Sequence, residues 1–156
     1  MNILNTITNL KIKSLYEEPN YTPRDLLDHD AIGAIIKNDL NQILLFDHVK
    51  FNFWTIPVGK AEEGYTAEQG MKQELFEELG IKVLTSKLLH INKRTYLRNN
   101  VIVNVNEHLF EVLSYKGTLR NLEPTKHRSI KWFYLEDIKK LSNLSNMTKM
   151  MLEIYN

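Results

Sequence analysis

The chain contains no cysteine among its 156 residues. This absence excludes disulfides, thiolate metal sites and a cysteine nucleophile. No stretch approaches the roughly 20 apolar residues that a membrane-spanning helix needs, so we expect no membrane association. Residues 1–18 have no long apolar run behind a basic start, and they therefore do not resemble a signal peptide. Together these absences predict a cytoplasmic protein.

A strong excess of one charge is also lacking. The 20 Lys and Arg residues and 19 Asp and Glu residues give a formal net charge of +1. Broad electrostatic capture of nucleic acid is therefore not expected, although a local basic patch remains open. No linker, repeat or low-complexity segment divides the chain. Its length predicts one domain over residues 29–156, preceded by an N-terminal lead-in over residues 1–28 that packs on the domain.

Short apolar, β-branched segments predict several strands. Residues 31–36 and 42–47 flank a polar turn and predict a buried hairpin. A third strand, at 53–57, is stopped by its proline. Further strand-like segments follow at residues 81–91, 101–105, 109–115 and 130–135.

One helix is predicted between these strands. Thr66 and Gln69 fit a capping box, and Gly80 is a natural C-terminal stop. The apolar stripe of this helix recurs every four residues, at Ala67, Met71, Leu75 and Leu79. Two closing helices are predicted at residues 135–141 and 145–155. The inward face of the last one is predicted to carry Met147, Met150, Met151 and Ile154. This order of elements predicts an α+β fold, an α/β/α sandwich with a mixed β-sheet.

Three glutamates, Glu74, Glu77 and Glu78, fall in the last turns of the central helix. A helix C-terminus already carries partial negative charge. Glu74 and Glu78 are also four residues apart, a like-charge spacing that costs roughly 0.2–0.5 kcal/mol. At 100° per residue the three carboxylates overlap the edge of the apolar stripe, which disfavours a simple solvated acidic face. A bound divalent cation would relieve this repulsion, and carboxylate oxygens suit Mg²⁺ or Mn²⁺.

Residues 59–81 resemble the signature sequence of the Nudix hydrolases, the MutT-like family. That signature is a Gly, five residues, a Glu, seven residues, Arg-Glu-aliphatic, one residue, Glu-Glu, one residue and Gly-aliphatic. The matching positions here are Gly59, Glu74-Leu75, Glu77-Glu78 and Gly80-Ile81. With the segments at 54–59 and 132–138, the resemblance extends over most of the chain from Asp30 onward.

Two positions depart from the signature. Tyr65 stands where the family has its first glutamate, and Gln73 stands where it has an arginine. In the family these two members can form an ion pair that supports the catalytic loop. One interpretation is that Tyr65 and Gln73 contact each other through a hydrogen bond and replace that pair. The other interpretation is that the site has decayed.

The resemblance implies hydrolysis of a nucleoside diphosphate linked to another moiety, with Mg²⁺ or Mn²⁺ as cofactor. The substrate classes include a nucleotide, a nucleotide sugar, a dinucleoside polyphosphate and a capped RNA end. By position, Glu74, Glu77 and Glu78 are implied to be catalytic metal ligands, with a backbone carbonyl near Val58 or Gly59 as a further ligand.

We call the signature at residues 59–81 the Nudix box, or the box. The general base is left open between a glutamate of this box and a later carboxylate. Glu123 is our candidate, because it precedes the late strand where the family often places an extra acidic residue. Glu107 and Glu111 are weaker alternatives on a strand.

A cationic segment with one aromatic residue is a candidate substrate-binding site. Its members are Lys93, Arg94, Tyr96 and Arg98. Such residues can grip phosphates and stack on a base, but they also fit an ordinary solvated strand turn. Three functions therefore stay open: a metal-dependent pyrophosphohydrolase, a catalytically weakened nucleotide- or RNA-binding regulatory module, and an RNA-binding protein that uses this patch. The expected partners are a nucleotide-type substrate or an RNA 5′ end, and the protein is expected to be a monomer or a homodimer.

Overall fold

The computed structural model describes residues 20–155. Residues 1–19 of the predicted lead-in therefore lie outside the described residues, and the boundary at residue 28 stays a prediction. In chain order the elements are a 3₁₀ helix (Pro23–Leu26), β1 (His29–Ile35), β2 (Ile43–His48), β3 (Phe53–Thr55), β4 (Val58–Lys60), α1 (Ala67–Leu79), β5 (Lys82–Arg98), β6 (Val101–Lys116), β7 (His127–Phe133), α2 (Leu135–Ile138) and α3 (Asn146–Ile154).

The strands form two sheets. The larger has the order β4-β1-β6-β5 and is mixed, because β1 and β6 run parallel while the other pairs are antiparallel. The smaller has the order β3-β2-β7 and is antiparallel. The predicted α+β fold with a mixed sheet is confirmed. No helix within residues 20–155 is both long enough and apolar enough to span a membrane.

Alternate residues of β1 face two separate hydrophobic cores, as strand geometry requires. Ile32 packs in one core with Met71 and Leu75 of α1. Ile35 packs in the other core with Met151 of α3. The two helices therefore cover opposite faces of the larger sheet, which gives the predicted α/β/α layering.

The predicted hairpin of residues 31–36 and 42–47 is confirmed only at its turn. Both segments are strands, but β1 pairs with β4 and β6, whereas β2 pairs with β3 and β7. They are joined by a bridge between Lys37 and Ile43 and by a hydrogen bond from Leu44 N to Ile36 O. Segments that are buried on both faces show no alternation of apolar and polar residues. Their sequence therefore does not indicate which strand they pair with.

The strands predicted at 81–91, 101–105 and 109–115 are in fact two long strands, β5 and β6. They meet at Asn99 and Asn100, whose φ angles are 48° and 62°. Two consecutive residues with positive φ are typical of a tight type I′ hairpin turn. The sequence prediction also missed β4, a three-residue strand.

The helix prediction is confirmed for α1, including its termini. The Thr66 hydroxyl accepts from Gln69 N, and the side-chain oxygen of Gln69 accepts from Thr66 N. Gly80 closes the helix in the left-handed conformation with φ of 71°. At the C-terminus, α2 is shorter than predicted and α3 begins after Ser145, whose side chain caps it. Ile154 is 40% exposed, so its predicted inward orientation is wrong.

Candidate active site

The last turns of α1 bring two of the three glutamates toward the protein interior. Glu78 is only 5% exposed, Glu74 is partly buried and Glu77 is exposed. Burial of Glu78 follows from its place beside Leu75 and Leu79, which belong to the core under α1. The helix therefore holds a buried carboxylate near its negative pole, where charge is least favourable.

The backbone of Gly59 packs directly against the Glu74 side chain. It lies in β4, paired with Ile32 of β1. A Cβ atom at Gly59 would lie 2.7 Å from Cδ of Glu74 and 2.9 Å from its Oε2. Only glycine allows the Glu74 carboxylate to lie this close to the strand. The backbone at residues 58–59 is thus next to the carboxylate, where the sequence placed a carbonyl ligand.

A loop after β6 brings Glu123 to these carboxylates. Leu122 N donates to Glu78 O at 2.9 Å, which fastens the loop to the end of α1. Asn121 braces the loop internally, because its Oδ1 accepts from Glu123 N at 3.2 Å and its Nδ2 donates to His127 O at 2.8 Å. The candidate base therefore lies close enough to act electrostatically on Glu74 and Glu78.

The two weaker base candidates lie in other contacts. Glu107 accepts hydrogen bonds from Arg94 Nε at 2.8 Å and from Tyr96 Oη at 2.8 Å. Glu111 forms an ion pair with Lys37 at 2.9 Å. Among the charges resolved as acting on Glu74 and Glu78, Glu123 is present and these two are not, so Glu123 is the favoured candidate.

The carboxylate cluster of Glu74, Glu78 and Glu123 holds more negative charge than its surroundings stabilise. Burial raises the pKa of Glu74 to about 7, with further increases from the charges of Glu77 and Glu123. Burial also holds the pKa of Glu78 well above its ordinary value, with added repulsion from Glu74 and Glu123. Glu78 Oε2 is buried without a hydrogen-bond partner. The positive charge near the cluster is therefore too small to offset the negative charge of its ionised carboxylates.

Lys126 is a charged member of the site that the sequence reasoning missed. Its Nζ lies 2.8 Å from Glu123 Oε2. Its charge lowers the pKa values of Glu74 and Glu78, although burial and repulsion outweigh it. The pKa of Lys126 is itself raised, chiefly by its hydrogen bond to Glu123. The sequence feature that could have identified Lys126 is its position three residues after Glu123, the candidate base.

The chemistry of the cluster fits a hard divalent cation. Its donors are carboxylate oxygens, one of them buried and unpartnered, and Mg²⁺ and Mn²⁺ prefer such ligands. Within residues 20–155, no three His, Asp or Glu side chains already stand in a ligating arrangement. Binding would therefore require these side chains to turn toward a common point.

Tyr65 and Gln73 do not meet, so the predicted hydrogen bond between them is wrong. Gln73 Nε2 donates instead to Glu77 Oε1, one turn along the same helix, at 2.7 Å. The Tyr65 side chain is 44% exposed. Gln73 thus orients the exposed glutamate of the box, while Tyr65 precedes the N-cap of α1.

The predicted substrate patch is divided between the two faces of β5. Arg94, Tyr96 and Arg98 alternate with Lys93 along the strand, so Lys93 points to the opposite face. Arg94 and Tyr96 converge on Glu107, which is 3% exposed. Beside them is a cavity of about 210 Å³, lined by residues of β5 and α3 that include Asn92, Arg94, Asn146 and Lys149.

Comparisons with known proteins identify the family of this chain. Residues 27–153 match the model of the NUDIX domain family. An RNA pyrophosphohydrolase of Pseudoalteromonas atlantica is 39% identical over 62 residues, which is 40% of this chain and 36% of that protein. An 8-oxo-dGTP diphosphatase of Buchnera aphidicola is 28% identical over 111 residues, which is 70% of this chain and 78% of that protein.

Solved structures show the same fold. The MutT NUDIX hydrolase from Burkholderia pseudomallei superposes with a TM-score of 0.68 and 27% sequence identity, covering 81% of this chain and 96% of that one. The match to the RNA pyrophosphohydrolase, by contrast, spans only 36% of that relative's length. Because the NUDIX model covers nearly all described residues, this chain belongs to the NUDIX domain family.

Proposed function

We propose that this protein is a divalent-metal-dependent pyrophosphohydrolase that acts on a polyphosphate attached to a nucleoside 5′ carbon, with an RNA 5′ end as its preferred substrate. The observation that carries this proposal is the carboxylate cluster of Glu74, Glu78 and Glu123, in which Glu74 lies over Gly59 and the pKa values of Glu74 and Glu78 are raised. Neighbouring carboxylates with raised pKa values are typical of catalytic sites.

The box glutamates would hold the metal. Glu74, Glu77 and Glu78 would supply carboxylate oxygens, and the backbone carbonyl of Val58 or Gly59 would be a further ligand, since Gly59 contacts the Glu74 side chain. When bound, Mg²⁺ or Mn²⁺ supplies stabilisation of the negative charge that develops on phosphate oxygens. Gln73 keeps the exposed Glu77 oriented through its 2.7 Å hydrogen bond.

Glu123 is the proposed general base. It accepts a proton from the water that attacks phosphorus, and Lys126, 2.8 Å away, positions the Glu123 carboxylate through an ion pair. The loop that carries both residues is tied to Glu78 O of α1 by the backbone of Leu122. The proton acceptor and the box glutamates are therefore held as one unit.

The substrate class rests on chemistry that two relatives share. Their names specify RNA and 8-oxo-dGTP, and a polyphosphate at a nucleoside 5′ position is common to a newly made RNA end and to a nucleoside triphosphate. Arg94, Tyr96 and Arg98 are the patch members that share one face and offer cations and an aromatic ring. Lys93 faces away from them and is not included.

A substrate panel tests this proposal. Nucleoside triphosphates, a dinucleoside polyphosphate, a nucleotide sugar and 5′-triphosphate RNA would be incubated with Mg²⁺ or Mn²⁺, and the products identified by chromatography. We expect metal-dependent cleavage of an anhydride bond, fastest on RNA. The same rates in excess chelator, or no cleavage of any substrate, would contradict the proposal.

The second candidate is a binding or regulatory module that has lost turnover. The observation that favours it is the loss of the family's Glu–Arg pair without a replacement contact, since Gln73 binds Glu77 rather than Tyr65. Under this alternative the same panel would show saturable nucleotide or RNA binding without products.

A further inference from the structure

Five side chains from three separate segments form an alternating row of aromatic rings and cations. The Arg98 guanidinium lies 4.6 Å from the ring centre of Tyr96 and 5.3 Å from that of Tyr21. Lys50 Nζ lies 5.6 Å from the ring centre of Tyr21 and 5.4 Å from that of Phe51. Each cation therefore contacts two rings. We call this row the aromatic–cation tract; its members in spatial order are Tyr96, Arg98, Tyr21, Lys50 and Phe51.

Asp25 connects the tract to the strand beneath the active site. Its buried carboxylate pairs with Lys60, the residue after Gly59, and lies 3.8 Å from Lys50 Nζ. Its backbone carbonyl accepts from Arg98 at 2.9 Å. Two lysines thus pair with the carboxylate and Arg98 binds the backbone of the same residue, so three cations meet one acidic residue. The tract is therefore locally positive, although the whole chain carries a net charge of only +1.

The other end of the tract is joined to the loop of the proposed base. Val49 N donates to Lys126 O at 2.9 Å, directly before Lys50 and Phe51. On its inner side Phe51 packs on His48, with ring centres 5.2 Å apart, and His48 packs on His127. The tract therefore begins next to the carboxylate cluster and leads away from it.

The tract is open to solvent where it is nearest to the site. Phe51 is 38% exposed, and the Lys50 side chain is 37% exposed. An exposed ring beside an ammonium group is poorly explained by core stability alone. Aromatic rings that alternate with cations are how proteins bind single-stranded nucleic acid, since the rings stack on bases and the cations meet phosphates.

We propose that the aromatic–cation tract binds the nucleotides of a single-stranded RNA chain that follow the 5′ end held at the carboxylate cluster. This inference rests on the proposed function, because it takes the RNA 5′ end as the substrate. It also gives the described part of the N-terminal lead-in a role, since Tyr21 contributes the central ring of the tract.

A binding experiment tests the tract without chemistry. Fluorescence anisotropy would measure the affinity for an eight-nucleotide RNA that carries a 5′-hydroxyl. We expect Phe51→Ala to weaken binding about 10-fold, because one stacking contact is lost. We expect Lys50→Gln to reduce the slope of log Kd against log salt concentration by about 0.7, because one phosphate contact is lost. Tyr134→Ala and Lys82→Gln remove an exposed aromatic ring and an exposed cation elsewhere and should leave both quantities unchanged.

Binding losses as large in these two controls as in the tract variants would overturn the inference. An acidic peptide of equal charge that displaces the RNA with equal potency would also overturn it, in favour of a protein partner. Melting curves of every variant would identify any that fail to fold, and Tyr21→Phe, which keeps the ring, should retain affinity where Tyr21→Ala loses it.

A kinetic experiment separates this inference from the proposed function. The ratio kcat/KM would be compared for a nucleoside triphosphate and for 5′-triphosphate RNAs of two and eight nucleotides. We expect the longest RNA to have a KM about 10-fold below that of the mononucleotide, and we expect Phe51→Ala to remove most of this gain. Equal KM values at all lengths would overturn the tract while leaving the proposed function intact. Absence of any hydrolysis would instead contradict the proposed function, and the anisotropy result alone would then decide the tract.

Discussion

Gly59 and Glu74 are in direct contact across the active site, with the Glu74 carboxylate lying over the bare Cα of Gly59. The missing Cβ would lie 2.7 Å from Glu74 Cδ. This contact joins β4 to the helix that carries the box glutamates. It explains physically why the first position of the box is a glycine.

Gly59→Ala is therefore expected to reduce kcat by about 100-fold, since a methyl group there displaces Glu74 by roughly 1 Å. The measurement is the steady-state rate on the best substrate of the panel, together with a melting curve. Gly64→Ala is the control. Gly64 has φ of 87° and nothing within 4 Å of a built Cβ, so its substitution strains the backbone without touching the carboxylates. Equal rate losses in both variants would mean that strain, not the contact with Glu74, causes the effect.

Lys126 is the only lysine or arginine whose charge acts on both Glu74 and Glu78 among the contributions resolved for the described residues. Lys126→Gln should lower the melting temperature of the metal-free protein by about 1–3 °C, since an exposed ion pair contributes up to about 1 kcal/mol. Saturating Mg²⁺ should remove this difference, because the metal supplies the missing charge. Lys116→Gln, an exposed lysine outside the site, should change neither value. If the melting temperature of Lys126→Gln stays below that of the parent protein in saturating Mg²⁺, Lys126 has a structural role instead.

Gln73 and Tyr65 should behave differently when each is truncated. Gln73→Ala removes the hydrogen bond that orients Glu77, so the Mg²⁺ concentration for half-maximal activity should rise about 10-fold, as is usual for groups that orient metal ligands. Tyr65→Ala should leave that concentration unchanged, because its side chain is 44% exposed. The measurement is a Mg²⁺ activation curve for each variant. If Tyr65→Ala raised the half-maximal Mg²⁺ concentration more than Gln73→Ala does, Tyr65 would have a role in supporting the metal site.

His127 predicts acid sensitivity of the fold. Burial lowers its pKa from 6.5 to about 4, with a smaller contribution from His48 and Lys126 and an opposing one from Glu123. Below pH 6.5 the unfolded chain takes up a proton that the folded protein does not, so stability is lost as pH falls from 6.5 to about 4.

The expected loss from this group is about 3 kcal/mol by pH 4. Urea unfolding at several pH values would measure it, and His127→Phe should remove that part of the pH dependence. An unchanged slope in the variant would show that other groups, such as His48, carry the effect.

The sequence predicted best what depends on near neighbours. Thr66, Gln69 and Gly80 define α1 through contacts within one helical turn, and these termini are observed as expected. Partner choice between strands was not predictable, because residues 32–36 and 43–46 are buried on both sides and carry no alternation. β4 was missed since its central residue is the glycine required under Glu74.

The site shows the same division between local and distant contacts. Repulsion among Glu74, Glu77 and Glu78 follows from helix geometry and was visible in the sequence. Lys126 lies 48 residues after Glu78, in a loop that the fold brings back to these carboxylates. Residue spacing in the sequence does not show that two such distant positions are close in space. The proposed hydrogen bond between Tyr65 and Gln73 is not formed, because Gln73 donates instead to Glu77, one turn away on the same helix.

Glu78→Gln tests the central claim most directly, with hydrolysis and stability measured on the same samples. Glu78 is buried with an unpartnered oxygen and a raised pKa, so the neutral amide removes the cost of charging or protonating this carboxyl group but also removes a proposed metal ligand. We predict that Mg²⁺-dependent hydrolysis of 5′-triphosphate RNA falls at least 100-fold, while the metal-free variant is more stable by about 1–2 kcal/mol. A variant that hydrolyses the RNA at the parent rate would contradict the account, because the buried carboxylate would then have no part in the chemistry.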